Sequence, residues 1–342
     1  MKRPAMFWKK LQKGKVRCTL CPRYCVVPPG KLGFCRARKN VNGEFYTLVY
    51  GSIISMGVDP VEKKPFYHFW PGSNAFSIAV PGCTFRCLHC QNWEISQVGV
   101  EGVKYEDLSP ERIVDIAKRY NCKGISLTYS EPILASEYAI DIGKLARREG
   151  LYTTYVTNGY ITLDALQELA PHLDAANVDV KAFNDDFYRK ICGVSGIRPV
   201  LETCEWMVGH GVHLEVTYLV IPRENDSQDE IRKFCKWVID KLGPDVPIHF
   251  SRFYPHYKMT DRESTPIMTL ERAMSIAKGE SIHHVYIGNV PGHEGDNTYC
   301  PKCGELLIER CGFDIIQWRL KDHRCPKCYT KINIIGEYKP AD

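Results

Sequence analysis

The sequence predicts an α/β protein: a partial or complete TIM-like barrel of six or seven βα units, with a cysteine-rich N-terminal extension and a small C-terminal cysteine module. Three observations predict it. Short apolar runs alternate with helix-length amphipathic stretches through the middle of the chain, the pattern of a mainly parallel sheet. The unusual polar residues come directly after the apolar runs, where the strands of such a barrel end and its active site forms. Most of the sixteen cysteines fall in three tight groups: one before this region, one at its start and one after it.

Residues 1–72 are the cysteine-rich extension and a connector, 73–297 the barrel core, and 298–342 the appended module. The Gly- and Pro-rich stretch 57–72 reads as the connector. Strands are expected at 75–80, 124–128, 152–156, 176–180, 212–220 and 248–253, with a further one at 284–287. Between them, helical patterns cover 110–120, 134–149, 163–169, 200–209, 227–242 and 270–278. Ser109-Pro110 is a helix start, a capping hydroxyl followed by proline at the first helical position. Asn184 is a second cap, before a short helix at 185–191.

A chain of 342 residues, 44% of them hydrophobic, can bury one large core and is not disordered. No run of about 18 apolar residues appears, so no membrane span is expected. The basic N-terminus lacks the apolar segment of a secretory signal, and a cytoplasmic location is the expectation. The charge of +5 is a mild excess. Two basic patches, 9–17 and 36–39, read as solvated surface or as a landing place for an acidic electron donor. They lack interleaved aromatics, so nucleic acid is not expected as a partner.

The cysteines say more. A secreted disulfide framework belongs to short exported chains, so metal ligation is the better account. Cys122, Cys192, Cys204 and Cys235 stand alone and read as ordinary buried side chains. Cys83, Cys87 and Cys90, at spacings of four and three directly after the first strand, can wrap one iron-sulfur cubane and ligate three of its irons. The fourth iron is left open to bind a substrate. Structural zinc is the competing reading, but zinc seeks four protein ligands. His89, between two of the cysteines, reads as loop packing or a hydrogen bond to the cluster.

The arrangement C-x3-C-x2-C after the first strand resembles the defining motif of radical S-adenosylmethionine (SAM) enzymes. The resemblance implies a partial (β/α)6 barrel and a [4Fe-4S] cluster whose open iron is chelated by SAM. It also implies reductive cleavage of SAM to a 5'-deoxyadenosyl radical that abstracts hydrogen, driven by a low-potential donor such as ferredoxin or flavodoxin. Thr128-Tyr129-Ser130-Glu131-Pro132 follows the second strand where many members carry Gly-Gly-Glu-Pro. Glu131 is then expected at the SAM ammonium group with Ser130 beside it; capping of the following helix is its structural alternative. Thr157-Asn158-Gly159 resembles the family's T-N-G turn, placing Thr157 and Asn158 at the cofactor. Asp179-Val180-Lys181 resembles the signature of glycyl-radical activating enzymes, with an internal Asp179–Lys181 salt bridge as the plain alternative.

On the fifth strand His213, Glu215 and Thr217 share the inward face, and on the sixth His249 shares a face with Ser251. Glu215 and His249 are accordingly expected at the cofactor. Arg252 is placed there for its guanidinium, which suits a SAM carboxylate or a substrate anion; Asn289 is a further rim candidate. Segments 18–22, 30–35, 87–93, 249–255 and 286–292 resemble the radical SAM member of the AmmeMemoRadiSam system, kin to pyruvate formate-lyase activating enzymes. That resemblance implies Amme-type and Memo-like partners.

Two outer thiol sets remain. Cys18, Cys21, Cys25 and Cys35 supply four thiolates for a tetrahedral zinc ion or an auxiliary iron-sulfur cluster. Zinc or a structural role is preferred, because nothing in the sequence demands an electron relay. Cys300, Cys303, Cys325 and Cys328, two C-P-K-C knuckles, resemble a zinc ribbon that staples a module too small for its own core, and leave Cys311 spare. The leading function is radical initiation on a protein or small-molecule substrate. Its competitors are a glycyl-radical activase, a methylating or alkyl-transfer radical enzyme, and a zinc-binding interaction scaffold.

Overall fold

The computed structural model describes residues 2–338. Its centre is one eight-stranded sheet: β1 (Ser55–Pro60), β2 (Asn74–Ala79), β3 (Gly124–Leu127), β4 (Tyr152–Thr157), β5 (Ala175–Asp179), β6 (His213–Val220), β7 (Ile248–Arg252) and β8 (Val285–Gly288). The strands lie in chain order across the sheet. β2 to β8 run parallel, and β1 pairs antiparallel with β2 at the edge. The sheet thus carries seven parallel strands where the resemblance implies six. The stretch expected to be a connector contributes to β1: its apolar residues Met56 and Val58 face solvent, and that removed the usual signature of a strand.

Helices α1 (Pro110–Arg119), α2 (Ser136–Arg148), α3 (Leu163–Leu169), α4 (Arg198–Gly209), α5 (Gln228–Trp237) and α6 (Ile267–Gly279) occupy the connections. Capping hydroxyls start three of them: Ser109 Oγ accepts from Arg112 N, Thr162 Oγ1 from Ala165 N and Ser227 Oγ from Glu230 N. Asn184 Oδ1 caps the short helix Asp185–Phe187 at 2.7 Å, and the chain runs on into a π turn, Tyr188–Cys192. Gly124 of β3 has no room for a side chain, because its partner on β4 is Tyr152 and a Cβ would meet that ring at 1.9 Å.

The strands alternate between two environments. Phe76, Ile78, Ile125, Leu127, Val216 and Phe250 belong to the main apolar core. The opposite, inward face is polar, with Asn177, Glu215, Thr217 and His249 buried on it. What fills that interior is residues 61–70. Phe66, His68 and Phe69 are buried, Asn177 Nδ2 donates to Pro65 O at 2.8 Å, and Glu215 accepts from Tyr67 N at 3.0 Å and His68 N at 2.7 Å. The segment closes the barrel floor and satisfies polar groups that would otherwise be orphaned.

The N-terminal extension forms two small antiparallel sheets. Its Val16, Leu20 and Phe45 belong to the same core as the barrel, and Arg38 makes a buried ion pair with Glu137 of α2 at 2.8 Å. The C-terminal module has strands Thr298–Tyr299, Leu306–Cys311 and Asp314–Trp318 and its own core of Leu307, Ile308, Leu320, Ile332 and Ile334 with its cysteines. Arg310 docks it on the barrel floor, donating to Asp296 O at 3.0 Å and Tyr67 O at 3.2 Å, with its guanidinium over the Tyr67 ring. Among the described residues no helix is long and apolar enough to cross a membrane.

Candidate active site

The cysteine loop leaves the end of β2 and is pinned against the π turn: Arg86 N donates to Cys192 O at 2.8 Å and Leu88 N to Ile191 O at 3.0 Å. At its start Gly82 has φ +106, and a Cβ there would meet Cys35 O at 2.7 Å, so the loop and the N-terminal extension touch where only glycine fits. Cys83 Sγ accepts from Phe85 N at 3.3 Å and Asn158 Nδ2 at 3.7 Å; Cys90 Sγ lies 3.2 Å from Ser96 Oγ. The buried Cys192 thiol, against Cys87, pushes the Cys87 pKa up, and burial pushes it further. Burial likewise raises Cys83 and Cys90. Three thiols in this setting ionise when a cation pairs them, which fits metal ligands.

Beside the thiols opens a cavity of about 490 Å³ at the strand ends. It brings together Cys83, Cys87, Cys90, Ser130, Glu131, Thr157, Asn158, Asp179, Lys181 and His249 of the residues expected from sequence. Glu131 is their hub: its carboxylate accepts from Thr157 Oγ1 at 2.6 Å, Asn158 N at 3.0 Å and Ile133 N at 3.4 Å. It therefore also caps the 3-10 turn Pro132–Ala135. Burial pushes its pKa up to about 7, outweighing those donors. Ser130 Oγ is spent on Val80 O at 2.6 Å.

Tyr129 keeps a glycine-like backbone with φ +65, and its hydroxyl is held by Asp59 and by Lys64 Nζ at 2.9 Å. Asp179 and Lys181 form the internal salt bridge at 2.9 Å on the cavity wall. His89 is buried there with its Nδ1 unpartnered, and burial, then Lys181, lowers its pKa to about 3, so the ring is neutral.

Two expected cofactor residues lie elsewhere. Glu215 sits beneath the cavity, its oxygens taken by Tyr67 N, His68 N, His213 Nε2 at 3.1 Å and His249 Nε2 at 2.7 Å. Burial works to raise its pKa, but the two histidines outweigh it and hold the carboxyl well below the usual range. Arg252, on the opposite strand face, donates from Nε to Thr265 O at 2.8 Å and stacks on Tyr254, outside the cavity. Asn289 does reach the lining.

The cavity also holds residues that sequence reasoning missed. Glu62, Lys63, Lys64 and Tyr67 rise from the floor segment, and Phe313 reaches in from the C-terminal module. The charged run within an otherwise Gly- and Pro-rich stretch was the one available signal for the first group. Cys192 carried none, being a lone cysteine. At the outer sites, the Cys300, Cys303, Cys325 and Cys328 ligand atoms all lie within 4.8 Å of one another, while Cys311 is exposed and outside the set. Cys18, Cys21, Cys25 and Cys35 line one small cavity in the extension.

A strand-end cavity flanked by three thiols on a mostly parallel sheet defines a class, and comparison with known proteins names it. The family model for the radical SAM superfamily matches residues 77–235. The chain belongs to that superfamily and is a radical SAM enzyme. Within it the chain groups with uncharacterized protein MJ0808 of Methanocaldococcus jannaschii, 48% identical over 97% of this chain and 99% of that one. Pyruvate formate-lyase 1-activating enzyme of Escherichia coli is a more distant relative, 30% identical over 46% of this chain and 66% of its own length. A solved domain of pyruvate-formate lyase-activating enzyme from Bacteroides vulgatus aligns at 15% identity and TM-score 0.43, covering 48% of this chain and 99% of that domain.

Proposed function

We propose that Cys83, Cys87 and Cys90 hold a [4Fe-4S] cluster and that SAM occupies the adjoining cavity. Bound there, the pair supplies a 5'-deoxyadenosyl radical, formed by reductive cleavage of SAM, for hydrogen abstraction from a protein or small-molecule substrate. The observation that carries this reading is the placement of three thiols, and no fourth protein thiolate of that loop, against one polar strand-end cavity. Glu131 offers a carboxylate to the SAM ammonium group, and Thr157 and Asn158 fix its orientation. Asn158 and Phe85 donate to the Cys83 sulfur. The electron comes from a low-potential protein donor.

The narrower kinship with the AmmeMemoRadiSam radical SAM member rests on segments 18–22, 30–35, 87–93, 249–255 and 286–292, and makes Amme-type and Memo-like proteins the partners of interest. The glycyl-radical activase reading draws on Asp179-Val180-Lys181, whose two charged residues line the cavity. For the C-terminal module zinc is the ion of choice. Its Cys300–Cys328 and Cys303–Cys325 sulfurs stand 3.5 and 3.6 Å apart; four thiolates about 2.3 Å from one tetrahedral ion stand about 3.8 Å apart.

The test is 5'-deoxyadenosine formation by anaerobically reconstituted protein with SAM and a low-potential reductant. The nucleoside forms with the wild type and disappears with Cys87→Ala. Equal formation by both proteins overturns the assignment.

A further inference from the structure

The N-terminal extension contains a second four-thiol site whose geometry differs from that of the C-terminal one. Cys18, Cys21, Cys25 and Cys35 come from two separate turns of the extension and converge on one small cavity, closed by Leu20, Phe34, Phe45 and Leu134. Backbone N–H groups of Leu20, Arg23 and Ala37 lie beside the thiols of Cys18, Cys21 and Cys35. The same two-residue offset links Phe85 N to Cys83 Sγ. Cys18 and Cys21 are buried, and Arg38, fully buried and paired with Glu137, lines the same cavity. Four thiols closed in by apolar side chains suit an inorganic group held by thiolates.

Spacing decides which group. Among the described residues, the C-terminal set is the only group of three or more candidate ligands whose atoms lie within 4.8 Å of one another. No three of the N-terminal thiols meet that condition, and neither do Cys83, Cys87 and Cys90. A single tetrahedral ion draws its thiolates to about 3.8 Å of each other. A cubane binds one thiolate at each iron corner and holds them much farther apart. The N-terminal thiols, like the SAM-cluster cysteines, are not drawn together as the zinc-type knuckles are.

We infer that Cys18, Cys21, Cys25 and Cys35 hold a second, fully protein-ligated [4Fe-4S] cluster. With a thiolate on every iron, it has no open position for SAM. Its place in the fold is beside the first: Thr84 lines the N-terminal cavity while its neighbours Cys83 and Phe85 line the large one. Arg23 ties the two together, donating to Thr84 O at 3.2 Å and Gly193 O at 2.6 Å. This assignment reverses the preference for zinc drawn from the sequence, and it stands whether or not the protein cleaves SAM.

The decisive protein is the full-length triple variant Cys83→Ala, Cys87→Ala, Cys90→Ala, which leaves the extension untouched. After anaerobic reconstitution with iron and sulfide, metal and acid-labile sulfide are counted and the reduced protein is examined by electron paramagnetic resonance. The expected result is about four irons and four sulfides per chain with a reduced-cluster signal. Adding Cys21→Ala and Cys25→Ala to that variant should remove all of the iron. A triple variant without iron, whether it carries two zinc ions or one, overturns the inference. So does iron that survives the five-fold variant.

Discussion

Asn158 Nδ2 points at the Cys83 sulfur from 3.7 Å and at Thr84 Oγ1 from 3.0 Å, while its backbone N–H donates to Glu131 at 3.0 Å. One residue at the end of β4 thus bridges the proposed cluster and the proposed SAM carboxylate partner. Hydrogen bonds to cluster sulfurs raise reduction potential, and removing such an outer partner costs roughly 10-fold or more in activity. Asn158→Ala should keep its iron, shift the potential of the SAM-site cluster to more negative values, and slow 5'-deoxyadenosine formation about 10-fold. Potentiometric titration followed by electron paramagnetic resonance checks it; an unchanged potential would remove Asn158 from the cluster.

Glu131 carries a pH signature. Its pKa is raised from 4.5 to about 7 by burial, so between those values the folded protein holds a proton that the unfolded chain has released. Its contribution to stability is complete below about pH 4.5 and is lost as pH rises through about 7. Binding of an ammonium group has the opposite slope, because it needs the carboxylate. SAM affinity should therefore rise from pH 6 to 8, and Glu131→Gln should weaken it by roughly 10- to 100-fold, the scale of a hydrogen bond to a charged group, and flatten the profile. Glu62, in the same cavity and also raised to about 7, stays in both proteins, so the comparison isolates Glu131. Calorimetric titration with SAM across that range decides; a variant with the wild-type profile would transfer the effect to Glu62.

The strand ends were legible because each couples a local apolar run to a polar residue just beyond it, and both are properties of adjacent residues. Cys83, Cys87, Cys90, Glu131, Asn158 and Lys181 all reach one cavity for that reason. Glu215 and His249 were correctly read as inward-facing, but alternation along a strand gives the face and not the depth. His249 reaches the cavity, whereas Glu215 lies beneath it, held by a floor segment about 150 positions away in the chain. The floor itself was invisible, since 61–70 has neither period nor propensity to mark it and is shaped by what it fills. Arg252 was chosen for its chemistry against its strand face, and the face prevailed.

Glu215 is expected to act on stability. Truncating one member of a buried, fully hydrogen-bonded charge network costs about 3–5 kcal/mol, and Glu215→Ala would orphan the N–H groups of Tyr67 and His68 as well. Its depressed pKa means that its stabilising contribution is present above the ordinary carboxyl range and is lost as pH falls through the lower, folded value. Chemical denaturation at neutral pH should show the full loss, narrowing toward acid. A variant of wild-type stability that fails to bind SAM would instead return Glu215 to the cofactor.

The C-terminal module, with its proposed zinc site, is tied to the cavity through two contacts. Arg310 fixes the strand Leu306–Cys311 to Tyr67 of the floor, and the turn that follows carries Phe313 to the cavity lining. The module's own core is seven buried residues, two of them cysteines, too few to hold it without the ion. Removing one thiolate with Cys303→Ala should release one zinc per chain and loosen residues 298–338. Because Trp70 N and His68 Nδ1 bond Ile335 O and Asn333 O, the floor should loosen with it. Hydrogen exchange should then rise both in the module and across 66–72, while α3 and α4, remote from the module, keep their protection. Exchange confined to the module would mean that the floor holds its shape alone and that Phe313 is a bystander at the cavity mouth.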